Sequence, residues 1–163
     1  MSGAGLTLRD VTPADVPEVM RLLHALAVYE RLEHRFVVEP AAMERALFGA
    51  PPWCAGLLAW SGGRAIGLAL WHVSYDAFAG RPGFWLEELF VEPEARGQGA
   101  GRALVAELAR RLAAMGGASI AWRLLRWNAP SIAFYRRLGA EPDDGTAERM
   151  TLSGEALASL AAT

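Results

Sequence analysis

The sequence predicts a domain of the α/β or α+β class with a mixed sheet, on three observations. Two apolar runs, Cys54 to Trp60 and Ala65 to Tyr75, are separated by Ser61-Gly62-Gly63-Arg64, and a glycine pair between apolar runs signals a hairpin. A third run, Trp85 to Val91, leads through a glycine-rich turn into a helical pattern and another apolar run, which reads as a βαβ half. The length of 163 residues suits one domain spanning 1–163, enough to bury about two-thirds of its unfolded surface.

The elements follow in order. Leu6 to Arg9 alternates weakly and reads as a short strand. Thr12 with Asp15 fits a helix cap, and a second cap at Asp15 with Glu18 places Pro17 in the first turn, where proline is tolerated. Val16, Val19, Met20, Leu23 and Ala27 then form an apolar stripe. Pro40 to Phe48 is a shorter helix. After the hairpin and the third strand, Gly101 to Met115 reads as a helix with Leu104, Leu108, Leu112 and Met115 on one face, ended by Gly116-Gly117. Ser119 to Leu125 is a strand, and Asn128 to Leu138 a helix closed by Gly139. Thr146 to Leu152 is a last strand, and the alanine-rich tail a short helix.

Composition excludes several function classes. The net charge is −2, so no basic face announces nucleic acid. No apolar run approaches the ~20 residues of a membrane span, and Met1 to Asp10 lacks the pattern of a secretory signal. A cytoplasmic protein is the expectation. Cys54 is the only cysteine and the histidines His24, His34 and His72 are scattered, which gives no metal-ligand spacing. All 16 Lys+Arg residues are arginine, which removes lysine Schiff-base chemistry and the lysine of phosphate-loop NTPases.

The stretch Val91 to Leu104, VEPEARGQGAGRAL, carries the strongest signal. Gly97, Gly99 and Gly101 alternate between Arg96 and Arg102. Glycines let backbone approach a phosphate closely, and free N–H groups at a helix start bind anions. The alternative is a plain strand-to-helix connection. A dinucleotide fingerprint fits poorly, because Arg102 stands where its third glycine belongs and no carboxylate occurs from Gly117 to Trp122.

The motif EARGQGAG resembles the Arg-x-x-Gly-x-Gly/Ala loop of the GNAT superfamily of N-acetyltransferases. Further segments resemble its diamine branch, which acetylates spermidine, spermine or thialysine: Tyr29-Glu30, YDAFAG at Tyr75 to Gly80, LEELFVEPEARGQGAG at Leu86 to Gly101, and WNAPSIAFYRRLGA at Trp127 to Ala140. The resemblance implies a GNAT fold, with a mixed, mostly antiparallel sheet of about six to seven strands flanked by helices. It also implies acetyl-CoA as cosubstrate and no metal. The pyrophosphate would sit on Arg96, Gly97, Gln98, Gly99, Ala100, Gly101 and Arg102, and pantetheine would pair with the backbone of Leu89, Phe90 and Val91 and meet Asn128 and Ser131.

Acetyl transfer to an amine has physical demands. An alkylammonium with a pKa near 10.4 is no nucleophile at pH 7, so a proton must leave. The developing oxyanion needs donors, and the departing thiolate benefits from a proton. By resemblance Glu87 takes the amine proton through water, Glu88 attracts cationic substrate, and Tyr135 is the acid that protonates the thiolate. As neighbours on a strand, Glu87 and Glu88 are expected on opposite faces. Asn128 and Ser131 also read as helix-capping residues.

Tyr29, Glu30, Asp76 and Phe78 match positions that line the amine pocket of the branch. With Glu87 and Glu88 they make an acidic, aromatic slot suited to a di- or polyamine or a lysine-like amino acid. The chain departs from the branch at Arg31 and Arg126, which add positive charge, and in DDGTAERM, which lacks the branch's tryptophan. His72 and Cys54 read as core residues. The reading is direct transfer from acetyl-CoA to a small primary amine by a homodimer, with no nucleic-acid or membrane partner. Its rivals are a catalytically silent acyl-CoA sensor, an enzyme acting on a protein or antibiotic amine, and a nicotinamide oxidoreductase.

Overall fold

The computed structural model describes residues 5–143, 145 and 150–162. The chain divides into two compact units, residues 1–123 and 124–163. The first holds strands β1 (Thr7–Asp10), β2 (Ala55–Ser61), β3 (Arg64–Asp76), β4 (Arg81–Val91) and β5 (Ile120–Ala121), with helices α1 (Val16–Glu30), α2 (Pro40–Phe48) and α3 (Ala100–Ala114). The second holds α4 (Ala129–Arg137) and α5 (Gly154–Ala161). Among the described residues no helix is long and apolar enough to cross a membrane.

The five strands form one sheet in sequence order. The pairs β1–β2, β2–β3 and β3–β4 are antiparallel, and β4–β5 is parallel. This is the mixed, mostly antiparallel architecture expected, with fewer strands than six to seven among the described residues. The last expected strand, Thr146 to Leu152, lies partly outside them: 146–149 are not described, and 150–152 are not in a strand. The strand expected over Ser119 to Leu125 shrinks to Ile120–Ala121, which pairs only with Phe84 and Trp85. Shortly beyond Trp85 a bulge interrupts β4, and a bulged strand bends away from a straight neighbour.

The β2–β3 hairpin turns on Gly62 (φ 59°) and Gly63 (φ 77°), two positive φ values that a type I′ turn requires. At the other end of the first unit, Asp15 is buried and accepts hydrogen bonds from Thr12 N and Oγ1 and from the Arg9 guanidinium. These bonds and the Thr12 hydroxyl hold its carboxyl below the usual range although burial opposes them. A single turn over Pro13–Asp15 then leads into α1, with Pro17 in its first turn as expected.

The core lies on both faces of the sheet. Val19, Leu22, Leu26, Met43 and Leu47 of α1 and α2 pack with Leu58, Leu68, Leu70 and Phe90. The buried face of α1 is thus rotated from the expected stripe. Leu22 and Leu26 are buried where Met20 and Ala27 are only partly so. On the other face α3 buries Leu104, Leu108 and Leu112, while Met115 is exposed. Arg21 pairs with Glu18 and with buried Glu92, which Arg64 also meets at 2.6 Å. Arg111 joins α3 to Asp10 at 2.6 Å. The Arg21–Glu92–Arg64 cluster fixes the exit of β4, just ahead of the glycine loop.

Candidate active site

The glycine loop runs from the end of β4 into α3. Gly97 (φ 75°) and Gly99 (φ 89°) are left-handed, and Gly99 is the residue that starts α3. A Cβ built on either glycine meets nothing within 4 Å. Backbone conformation, not crowding by protein, therefore demands glycine, and the space above the loop is open. Ala100, Gly101 and Arg102 form the first turn, whose N–H groups have no partner within the helix. Gln98 donates to Glu94 O at 3.3 Å. Arg96 turns back: its Nε donates to Val91 O at 3.0 Å, and its guanidinium lies 4.5 Å from the centre of the Tyr29 ring and 5.8 Å from that of Phe90. Tyr29 is therefore an aromatic support for the loop's first arginine.

Leu89, Phe90 and Val91 pair with Ala69, Leu68 and Gly67 of β3. On its other edge β4 pairs with β5 only at Phe84 and Trp85. Beyond that point this edge has no strand partner among the described residues, so it can accept an added extended chain.

The carboxylates are arranged by the bulge. Leu70 opposes Glu88 and Trp71 opposes Leu86, which leaves Glu87 as the extra residue. The expectation of opposite faces fails for this reason. Counting from Leu86, Glu87 turns to the Leu70 face, and Glu88 shares it by pairing with Leu70. This is the α1 side of the sheet. Burial, then the charges of Glu30 and Glu87, push the Glu88 carboxyl up to about 7 against the opposing pull of Arg123. Burial raises Glu30 as well. Three carboxylates from α1 and β4 thus form one electrostatic cluster.

His72 is the residue the sequence reading missed. It was expected in the core. Instead its side chain is 39% exposed, and its Nε2 lies 3.1 Å from Glu87 Oε1. It follows Trp71 in an otherwise buried run of β3, and a titratable ring at the end of that apolar run was the available signal. Cys54 is half-buried beside the apolar core, in line with its expected core placement. Burial and the Glu87 charge push its thiol up, which disfavours the nucleophilic thiolate.

Asp76 and Phe78 sit at the tip of the β3–β4 hairpin. Asp76 Oδ1 accepts from Phe78 N and Ala79 N, both at 2.9 Å, so its carboxylate caps the turn. Phe78 is fully exposed. Asp76 is not among the charges that act on Glu88.

In the second unit Asn128 is buried and caps α4, its Oδ1 accepting from Ser131 N at 3.3 Å. The capping reading of these residues is what the geometry displays. Tyr135 is buried on the same helix, with its ring 5.0 Å from that of Phe134.

A glycine loop at a helix start, an unpaired strand edge and a cluster of acids are parts that a group-transfer enzyme can use, and likeness to known proteins gives the class. Residues 20–140 match the family model described as acetyltransferase (GNAT) family. The chain belongs to that family and is an N-acetyltransferase. It is similar to the thialysine N-epsilon-acetyltransferase of Bos taurus, with 30% identity over 146 residues covering 85% of each chain. It is also similar to an L-ornithine N5-acetyltransferase of Arabidopsis thaliana, with 25% identity covering 82% of this chain and 78% of that one. Among solved structures, an integron cassette protein from the mobile metagenome of V. cholerae matches with a TM-score of 0.80 at 19% identity, covering 99% of this chain and 100% of the other. An aminoglycoside acetyltransferase from an uncultured soil metagenomic sample matches with a TM-score of 0.76 at 14% identity, covering 91% and 97%. These two likenesses speak for the fold alone.

Proposed function

We propose that the chain transfers acetyl from acetyl-CoA directly to the amine of a small cationic molecule, a lysine-like amino acid or a di- or polyamine. It does so as one catalytic domain over 1–163, as a cytoplasmic homodimer. The observation that carries the substrate class is the cluster of Glu30, Glu87 and Glu88. Three carboxylates on one face attract an alkylammonium and provide a base for it. Relatives named for thialysine and ornithine support the amino-acid member of the class. Arg31, next to Glu30 in sequence, adds a cation suited to an α-carboxylate.

The residues present fit acetyl-CoA. Open space over Gly97 and Gly99 and the unpaired edge of β4 support phosphate at the loop and pantetheine along Leu89, Phe90 and Val91. Arg96 and Arg102 would add charge at the phosphate, and Asn128 and Ser131 would hold pantetheine. The cosubstrate supplies a thioester already activated for attack by nitrogen. Glu87 takes the amine proton, through water as the resemblance implies. Glu88 draws the cation in, and Tyr135 gives its hydroxyl proton to the leaving thiolate.

The test is free-thiol release from acetyl-CoA with thialysine, lysine, ornithine, putrescine, spermidine and a simple monoamine. Release with the dicationic amines and little with the monoamine is expected. No release with any amine overturns the transfer reading, and equal rates with all of them overturn the acidic site.

A further inference from the structure

We propose that His72 is a positioning residue that stores the proton Glu87 takes from the amine. The proposal rests on the acetyl-transfer reading and adds a residue to it.

The geometry is specific. His72 Nδ1 lies 3.2 Å from Val73 O, and Nε2 lies 3.1 Å from Glu87 Oε1. A backbone carbonyl only accepts, so Nδ1 carries a hydrogen. A donating Nδ1 fixes the neutral ring as the tautomer whose Nε2 is a lone pair. That lone pair faces a carboxylate oxygen. One proton between Oε1 and Nε2 satisfies both atoms.

This is the step that amine activation demands. The N–H bond of the substrate ammonium breaks, and its electron pair stays on nitrogen as the nucleophile. The proton joins Glu87 and moves along the Oε1–Nε2 contact to the ring, leaving an imidazolium beside a carboxylate. The exposed ring then returns it to solvent. The titratable groups that feel the Glu87 charge are Glu88 on β4 and Cys54 ahead of β2, while Glu30 at the end of α1 and Arg123 after β5 act on Glu88.

Two measurements test the role. In the first, His72→Gln is assayed with acetyl-CoA and the best amine across pH. Glutamine can donate to Glu87 but cannot take its proton. The expected result is a kcat about 10²-fold lower, the low end for a group that moves a proton, a KM for the amine within about twofold, and a displaced acid limb of the kcat profile. A structural role alone would change stability or KM and leave that limb in place. In the second, the three histidine rings are followed by NMR through a pH titration in the wild type and in Glu87→Gln. A His72 curve that moves while His24 and His34 stay put supports the pairing. A His72 curve unchanged by Glu87→Gln overturns the proposal whether or not the enzyme is active. Inactivity with every amine overturns the transfer reading and this role with it. An active enzyme whose His72→Gln variant matches the wild type at every pH overturns the role of His72 alone.

Discussion

The glycine loop and the carboxylate face both hang on β4, yet they are built in opposite ways. The loop is local. Its left-handed glycines, its arginines and the helix start that gives it N–H groups all come from one continuous stretch of chain. The acidic face is assembled from distance. Glu30 comes from the end of α1, His72 from β3, and Glu87 joins Glu88 only because a bulge adds a residue to one strand. Apart from the Arg96–Tyr29 contact, a substitution in the loop therefore has effects that neighbouring residues explain, whereas one on the acidic face acts through partners far along the chain.

The largest expected effect sharpens the local side. Tyr135, like the loop, is delivered by a single element, α4. Tyr135→Phe removes one oxygen and keeps the ring against Phe134. Turnover should fall about 10²–10⁴-fold, the usual worth of a general acid, with acetyl-CoA affinity within a few-fold. Near-normal turnover under conditions where chemistry limits the rate would show that the thiolate leaves unassisted.

Next comes the loop itself. Gly99→Val forces a β-branched residue into φ 89° and puts its side chain into open space. The KM for acetyl-CoA should rise about tenfold or more, equivalent to roughly 1.4 kcal/mol. The backbone strain should cost stability about 1–2 kcal/mol. Gly62→Val is the control. It too has positive φ and open space, so it should lose similar stability while the KM stays put. If both variants raise the KM alike, the loop glycine acts through strain and not through a phosphate.

A smaller effect tests the distant side. The Glu88 carboxyl is raised to about 7 in the fold. Between the ordinary carboxylate range and pH 7 the folded chain therefore holds a proton that the unfolded chain has released. Stability falls as pH rises across that window. Glu88→Gln removes this dependence. Compared with the wild type, it should gain on the order of 1–2 kcal/mol at pH 8 and little at pH 5, by thermal melts at each pH, allowing for solvent screening. In Glu30→Gln, which deletes one of the charges pressing on Glu88, the gain should be smaller and of the same sign.

The smallest effect is that of salt. Raising ionic strength from about 50 to about 300 mM should lower kcat/KM for a dication about threefold more than for a monoamine, because carboxylate attraction is screened. Equal responses would mean that the three acids do not act together on the substrate.

The same division decides how much was legible in the sequence. The turn at Gly62-Gly63, the start of α1 around Pro17, the loop and the capped start of α4 follow from short-range chemistry, and all can be read from the chain. What escaped depends on pairing. A bulge at Glu87 is a matter of register between β3 and β4, so the simple alternation of a strand misplaced one carboxylate. His72 looked apolar by company, since buried residues precede it on β3. Its exposure depends on where the sheet stops being covered. The short β5 escaped for a related reason: apolar composition from Ser119 to Leu125 promises a strand, but only Ile120 and Ala121 find a neighbour to pair with.

The ion pairs that tie α1, β1, β3 and α3 together are all made by arginine: Arg9 to Asp15, Arg21 and Arg64 to Glu92, and Arg111 to Asp10. Nowhere does the chain use lysine. A protein that handles an activated acetyl group keeps an electrophile close to its own side chains. A lysine freed of its proton is an amine like the substrate and would be acylated in turn, with loss of the charge that held its partner. A guanidinium stays protonated in proteins and offers no such nucleophile. These charge pairs thus contain no amine that an activated acetyl group could cap.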